Sequence, residues 1–405
     1  MGTKIKAVMC IVLLVAIFTK GFADRKASIE QEISRLVTNG SVVLHDEAGN
    51  PLISENGDNL YIPASIVKIL TSAVAIDLLG ADFRFKTEFH ITENNSLVIK
   101  GWGDPFLVSE EIKLIAENLK IMGVSSINQI YVDNSTFSPN IVIPGIVRTQ
   151  NPYNALNGAL VTNFNTLNLR RCNLGNIYSA EEVTPLTPIA ISKGGSIDVG
   201  TTRRINLSGS REDCLRYAGE LFATIFQESG IEIENEYITN SQLDPASTPF
   251  YVHYNSRDIV EISKGLQRFS NNFIANQIFL TLGAEKLGYP ATLEKGKSVF
   301  ENYIRTVLGI PSEKLVMEEG SGISRNNKIT GNTMVSILQN DKSLSELLAA
   351  RGSSLVKSGT LTGVYNYAGY IQASRGLMPF VIMLNQNSNH RDRILTLLEE
   401  YTKYI

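Results

Sequence analysis

The sequence is poor in the residues that build metal centres and redox pairs. Its 405 residues include three cysteines, four histidines and one tryptophan. There is no Cys-x-x-Cys, no His-Glu-x-x-His and no Walker-type glycine loop ending in Lys-Ser/Thr, so no metal site and no cofactor is expected. His45, His90, His253 and His390 share no spacing that suggests a site. Charge of one sign is also lacking. With 37 basic and 40 acidic residues the net charge is −3, and no basic stripe is available to follow a phosphate backbone, which argues against nucleic acid as a partner. Repeats and low-complexity tracts are absent. An apolar share of 43% is enough to bury a core, and the length suits two or three domains, or one large domain with an insertion.

Long hydrophobic runs are missing as well, with one exception. Lys4 and Lys6 precede an apolar stretch from Ala7 to Phe18, and Gly21-Phe22-Ala23 follows with small residues at the two positions a signal peptidase inspects. The stretch is too short for a stable membrane anchor and suits the core of a secretory leader, 1–23. Cleavage after Ala23 removes three lysines and no acid, taking the net charge from −3 to −6. The expected mature chain is periplasmic or secreted, with no transmembrane anchor. Cys172 and Cys214 then remain. An oxidising compartment permits their pairing, but buried free thiols are equally ordinary, and the spacing leaves both open.

Along the mature chain, Arg25–Val37 reads as an amphipathic helix, Ser41–His45 and Pro51–Ser54 as a hairpin, and Ile66–Leu79 as a helix. From Phe85 to Tyr251 short β-rich pieces, among them Phe85–Ile91, Ser96–Lys100, Gln129–Val132 and Thr162–Leu169, alternate with Asn/Gly/Pro turns. Helical patterns return at Ser256–Arg268, Asn271–Leu287 and Leu293–Leu308. Strands from Leu355, at Tyr367–Ser374 and at Phe380–Leu384 precede a closing helix, Asp392–Tyr404. The expected organisation is an α/β (α+β) domain, an antiparallel sheet covered by helices, in two parts (24–84 and 252–405) around a large β-rich inserted module (85–251).

The helix after Pro63-Ala-Ser65 carries apolar groups on every side from Ser65 to Ile76, and Lys68 is its only charge. Such a helix is buried, and lysine is almost never buried without a partner. Ser65 lies three positions earlier, one turn away on the same face, at a helix start where free N–H groups favour a developing anion. A desolvated lysine whose pKa is lowered takes a hydroxyl proton readily. The plainer reading is a capping serine and a lysine that reaches the surface. Ser-x-x-Lys recurs at Ser354–Lys357, on the approach to a strand where i and i+3 point to opposite faces.

Two further motifs bear on the choice. Ser270-Asn271-Asn272 opens a helix and Lys357-Ser358-Gly359-Thr360 lies on a strand. Ser270 and Asn272 offer a hydroxyl and an amide that reach a lysine or a substrate amide. Lys357 offers a cation for a carboxylate or for tuning Lys68. Gly359 keeps the strand low enough for a peptide to lie against it. In order, the three motifs resemble those of penicillin-binding proteins and serine β-lactamases. The long gap between the first two is similar to the D-Ala-D-Ala carboxypeptidase/endopeptidase family, the low-molecular-mass class C penicillin-binding proteins. Gly103-Asp104-Pro105, Asp133–Phe137, Tyr153–Asn157, Gly320–Arg325 and Lys357–Tyr365 carry the likeness through the chain.

The resemblance implies a transpeptidase-like domain with a large insertion, and roles by position. Ser65 resembles the acylated nucleophile and Lys68 its general base, with Ser270 and Asn272 as the second-motif pair and Lys357 as the third-motif lysine. Ser358, Gly359 and Thr360 line the substrate, and the N–H groups of Ser65 and Thr360 match an oxyanion hole. The family departs here at Asn271 and Glu319, where Asp is frequent, and at Ser358, where Thr is. The implied partners are peptidoglycan stem peptides and β-lactam antibiotics. The implied activity is a serine-type D-Ala-D-Ala carboxypeptidase or DD-endopeptidase. A serine β-lactamase, or a non-catalytic penicillin-sensing or wall-binding protein of the same fold, are the alternatives.

Overall fold

The computed structural model describes residues 21–405 except 148, 208–209, 241–242 and 244–246. The leader expected over 1–23 lies outside the described residues up to position 20. Residues 21–36 are helical. Two compact units are formed, one from residues up to Ile66 with Ile310–Val316 and Asn327–Ile405, the other from Val67–Gly309 with Met317–Asn326.

The first unit is built on a six-stranded sheet. Its spatial order is Ala349–Arg351, Ser354–Leu361, Val364–Ala373, Gly376–Leu384, Gly40–His45 and Pro51–Glu55, with every neighbouring pair antiparallel. The register sets Lys357 opposite Ala368 and Thr360 opposite Tyr365. Alternation sorts the side chains. Val42, Leu44, Phe380, Ile382 and Leu384 are buried with Ile29 and Ile33 of the first helix and Ile394, Leu397 and Leu398 of the last, Arg391–Tyr401. On the other face lies Gly331–Asn340, a helix that Thr330 caps by accepting from the Thr333 N–H. Gly331 packs so close that a Cβ there would collide with the Ser41 and Val43 side chains. The expected helix-covered antiparallel sheet is this one.

The second unit includes the helices Val67–Leu79, Ile259–Phe269, Asn272–Leu287 and Leu293–Thr306. The first and third are apolar nearly all round and buried along most of their length. The span 85–251 contributes a mixed five-stranded sheet in the order Glu232–Asn240, Ser126–Asp133, Leu97–Gly101, Lys86–Ile91 and Tyr251–Tyr254, together with a three-stranded sheet. It also carries helices Ser109–Ile121 and Arg211–Glu228, which bury Ile112, Ile115, Leu221 and Phe222 in one core with Phe89, Ile99 and Val132. Ser109–Ile121 is the crossover joining two parallel strands, a connection too long for a hairpin. Cys172 and Cys214 are free thiols, and burial pushes the Cys214 thiol up to about 12. Among the described residues no helix is long and apolar enough to cross a membrane.

Candidate active site

In the first unit, Ser65 sits at the middle of a 3-10 turn, Ala64–Ile66, that runs directly into the helix carrying Lys68. Ala64 is left-handed at φ 48°, a conformation that a residue with a Cβ holds only when its surroundings enforce it. Two asparagines supply that enforcement. Asn385 Oδ1 accepts the Ile62 N–H at 2.8 Å. Asn366 Nδ2 donates to the Ile62 and Pro63 carbonyls at 2.9 and 2.8 Å. Gly359 faces the same turn, and a Cβ on it would lie 2.8 Å from the Pro63 carbonyl and 3.1 Å from Ser65 N. The glycine is therefore needed first by the backbone that presents Ser65. Lys357 is 3% exposed and burial lowers its pKa to about 8. Its Nζ donates to the Ser358 carbonyl at 3.2 Å. Ser358 and Thr360 are exposed, while Lys357 and Gly359 are buried.

In the second unit, Lys68 has no exposed surface. Its Nζ donates to Asn272 Oδ1 at 2.8 Å and to the Ser321 carbonyl at 2.6 Å. Gln267 Nε2 bridges the Lys68 carbonyl and Ser72 Oγ, both at 2.8 Å, and so ties the helix Ile259–Phe269 to the lysine helix. Ser270 ends that helix in the left-handed conformation, and Asn271 starts the next by accepting from the Ile274 N–H. The second motif is thus the junction of two helices, with Asn272 at the first helical position. Aspartate and asparagine cap equally well, which accounts for Asn271. Beside the junction lies a cavity of about 800 Å³ lined by Phe106, Phe164, Arg204, Arg257, Ser270 and Asn272, among others.

The loop that offers Ser321 was marked in the sequence by the likeness over Gly320–Arg325 and the departure at Glu319, but its contact with Lys68 was missed. Glu319 is fully buried and accepts from the N–H groups of Ser321, Gly322 and Ser324 at 2.7, 2.8 and 3.2 Å, and from Ser321 Oγ at 2.6 Å. Asn276 Oδ1 takes the Gly320 N–H and Thr71 Oγ1 donates to the Gly320 carbonyl. A carboxylate bonded by several donors folds this loop into one shape, and that shape aims the Ser321 carbonyl at Lys68. Asn366 and Asn385 were likewise missed. The glycine-serine run and the buried acid before it were the available signal for the loop, whereas a lone strand asparagine carries none.

Comparison with known proteins places the fold first. It is that of the penicillin-binding proteins. The crystal structure of penicillin binding protein 4 (dacB) from Haemophilus influenzae matches with a TM-score of 0.72 at 19% identity, over 92% of this chain and 98% of that one. The predatory endopeptidase Bd0816 of Bdellovibrio bacteriovorus matches at 0.54 and 20% identity, over 90% and 91%. Residues 27–353 match the D-Ala-D-Ala carboxypeptidase 3 (S13) family, and the chain belongs to that family of serine peptidases. Among curated relatives, the D-alanyl-D-alanine carboxypeptidase of Actinomadura sp. (strain R39) is 24% identical over 93% of this chain and 84% of its own length. The D-alanyl-D-alanine carboxypeptidase DacB of H. influenzae is 23% identical over 83% of each.

Proposed function

We propose that this chain is an exported serine-type D-Ala-D-Ala carboxypeptidase that acts on peptidoglycan stem peptides through an acyl-enzyme on Ser65. The observation that carries the reading is Lys68, a fully buried lysine one turn from a serine, held by Asn272 Oδ1 and the Ser321 carbonyl. An amine in its neutral form donates to acceptors of this kind and can take up a hydroxyl proton. Ser65 Oγ attacks the carbonyl between two D-alanines while its proton passes to Lys68 Nζ. Negative charge builds on the carbonyl oxygen, which the N–H groups of Ser65 and Thr360 receive. The C–N bond then breaks, the proton goes to the departing amine, and D-alanine leaves. Water repeats the sequence on the ester and frees Ser65. The serine peptidase family and the naming of its curated relatives support the substrate class, and the lysine-flanked apolar run supports export.

Labelling by a fluorescent penicillin tests the nucleophile. Wild type should label and Ser65→Ala should not. Lys68→Arg separates a proton acceptor from a structural cation. Arginine keeps charge and donors but does not deprotonate at workable pH, so its acylation rate should fall nearly as far as that of Lys68→Ala. Near-wild-type acylation by the arginine variant overturns the general-base role. Release of D-alanine from a pentapeptide, compared with cleavage of cross-linked dimers, sorts carboxypeptidase from endopeptidase. Rapid turnover of penicillin instead of a lasting adduct identifies a β-lactamase. N-terminal sequencing of exported protein should begin near Asp24.

A further inference from the structure

The cavity of the second unit is lined by Ser270 and Asn272 and also by aromatic rings, Phe106, Tyr153, Phe164 and Phe273 among them. Phe164 meets Phe106 edge to face with centroids 5.2 Å apart, and Phe273 at 6.3 Å. The backbone that places Phe164 is strained. Asn163, Phe164 and Asn165 are all left-handed, at φ 46°, 60° and 51°. Asparagine visits that region, but a phenylalanine holds it only when forced. The flanking side chains supply the force. Asn163 Oδ1 accepts the Ser109 N–H at 3.0 Å, and its Nδ2 donates to the Ser109 and Tyr217 hydroxyls at 2.9 and 3.1 Å. Asn165 Nδ2 donates to the Leu156 carbonyl at 2.7 Å. Strain held so firmly beside a cavity points to use.

The turn runs directly into the strand Thr166–Arg171, and Thr166 and Arg204 also line the cavity. The register sets Asn168 opposite Arg204 and Arg170 between Thr202 and Tyr178. These side chains share the face turned away from buried Leu167 and Leu169. Arg170, Tyr178 and Thr202 are exposed, so the face continues the cavity outward for roughly 13 Å along the strand. A surface of that length suits a polymer. Charge narrows the choice. Arg204 is paired with Glu181 and Arg257 with Glu111, while Glu110 and Glu182 add carboxylates to the cavity lining. An anion entering the cavity is therefore disfavoured. A sugar is suited: the C–H faces of its ring pack on aromatic rings, and its hydroxyls donate to carboxylates.

Resting on the carboxypeptidase reading above, we propose that this cavity and the sheet face continuing it bind the N-acetylated amino-sugar chain that carries the stem peptide. The enzyme is then built for polymeric peptidoglycan, with contacts far from the scissile bond adding to transition-state binding.

Titration of the full chain with a β-1,4-linked N-acetylglucosamine tetramer tests the site without catalysis. Wild type should bind saturably, and Tyr178→Ala and Phe164→Leu should each weaken binding about threefold to tenfold, the range of one aromatic contact. Kinetics give a second readout. For D-alanine release, wild-type kcat/KM should be about tenfold higher for a disaccharide pentapeptide than for the sugar-free pentapeptide. In Tyr178→Ala that preference should shrink by the factor lost in the titration, with the sugar-free rate unchanged. No saturable binding of the tetramer by wild type overturns the site, and so does binding that both variants leave intact. A Tyr178→Ala variant that loses the sugar-free rate in equal measure marks a structural residue and overturns the assignment as well. Release of D-alanine from neither substrate overturns the carboxypeptidase reading instead, and the titration then decides the sugar site by itself.

Discussion

Gly359 has no side chain because the backbone of the Ser65 turn already fills the space, down to 2.8 Å from the Pro63 carbonyl. Gly359→Ala pushes on backbone from both sides, so the strand or the turn must move. A misplacement near 1 Å costs roughly a hundredfold in a positioned reaction, whereas overpacking of this size costs about 1–3 kcal/mol of stability. The alanine variant should therefore be folded, with a modest drop in melting temperature and a large drop in penicillin acylation rate. Equal losses in neither quantity would mean that the turn does not depend on this contact. Lys357 gives a second expectation at the same scale. Burial lowers its pKa to about 8, so its proton is lost as pH rises through that value, well before an ordinary lysine titrates. If its charge assists a carboxylate substrate, kcat/KM should fall on the alkaline side with an apparent pKa near 8, and Lys357→Arg should carry that limb to higher pH. A rise through the same range would identify the neutral amine as the working form.

Much of the element level was legible, and for physical reasons. The helices Val67–Leu79 and Asn272–Leu287 stand out because an apolar surface on every side has only one destination, and a single lysine within the first is conspicuous against it. The strands of the first unit's sheet show through alternation and turn residues. Helices Ser109–Ile121 and Arg211–Glu228 were hidden by the β-rich texture of their surroundings, although Ile112, Ile115, Ala116 and Leu119 follow helical spacing. The site was half visible. Ser65, Lys68, Asn272 and Gly359 were marked by residue type, but the Ser321 carbonyl is backbone, and no sequence pattern says where a carbonyl points. Glu319 does that work through four accepted hydrogen bonds. In Glu319→Gln one oxygen becomes an NH₂ group facing donors, so at least one buried N–H loses its acceptor, at about 1–3 kcal/mol. The loop should reshape, the Lys68 partner should move, and acylation should drop by at least about tenfold. Glu319→Asp keeps every acceptor one methylene short and should retain more activity than Gln. Equal activity of Gln and wild type would detach this loop from Lys68.

At the scale of the molecule, the two ends of the span 85–251 lie side by side, and the span packs against helices of the second unit. The chain leaves and returns at one place. Lys86 pairs with Tyr254, and the Asn255 N–H donates to the Phe85 carbonyl at 2.8 Å. A short linker could join those ends. Inside the second unit, however, Ala155 and Val161 share a core with Ile262, Leu266, Phe273 and Ile278, while Phe137, Ile141 and Ile143 pack with Leu280 and Ala284. Asn157 Nδ2 donates to the Phe273 carbonyl and to Gln277 Oε1, both at 2.9 Å, and buried Glu111 binds His253, Ser256 and Arg257. Replacing 86–254 by a Gly/Ser linker would bare several large apolar side chains on the helices that carry the second motif. Each is worth about 1.5–3 kcal/mol when buried, against a total stability of roughly 5–15 kcal/mol. The shortened chain should therefore come out of expression insoluble or without a cooperative melt. A soluble deletion that melts cooperatively and still takes up penicillin on Ser65 would show the opposite, that the helices carrying Lys68 and Asn272 hold together without the cover that now buries them.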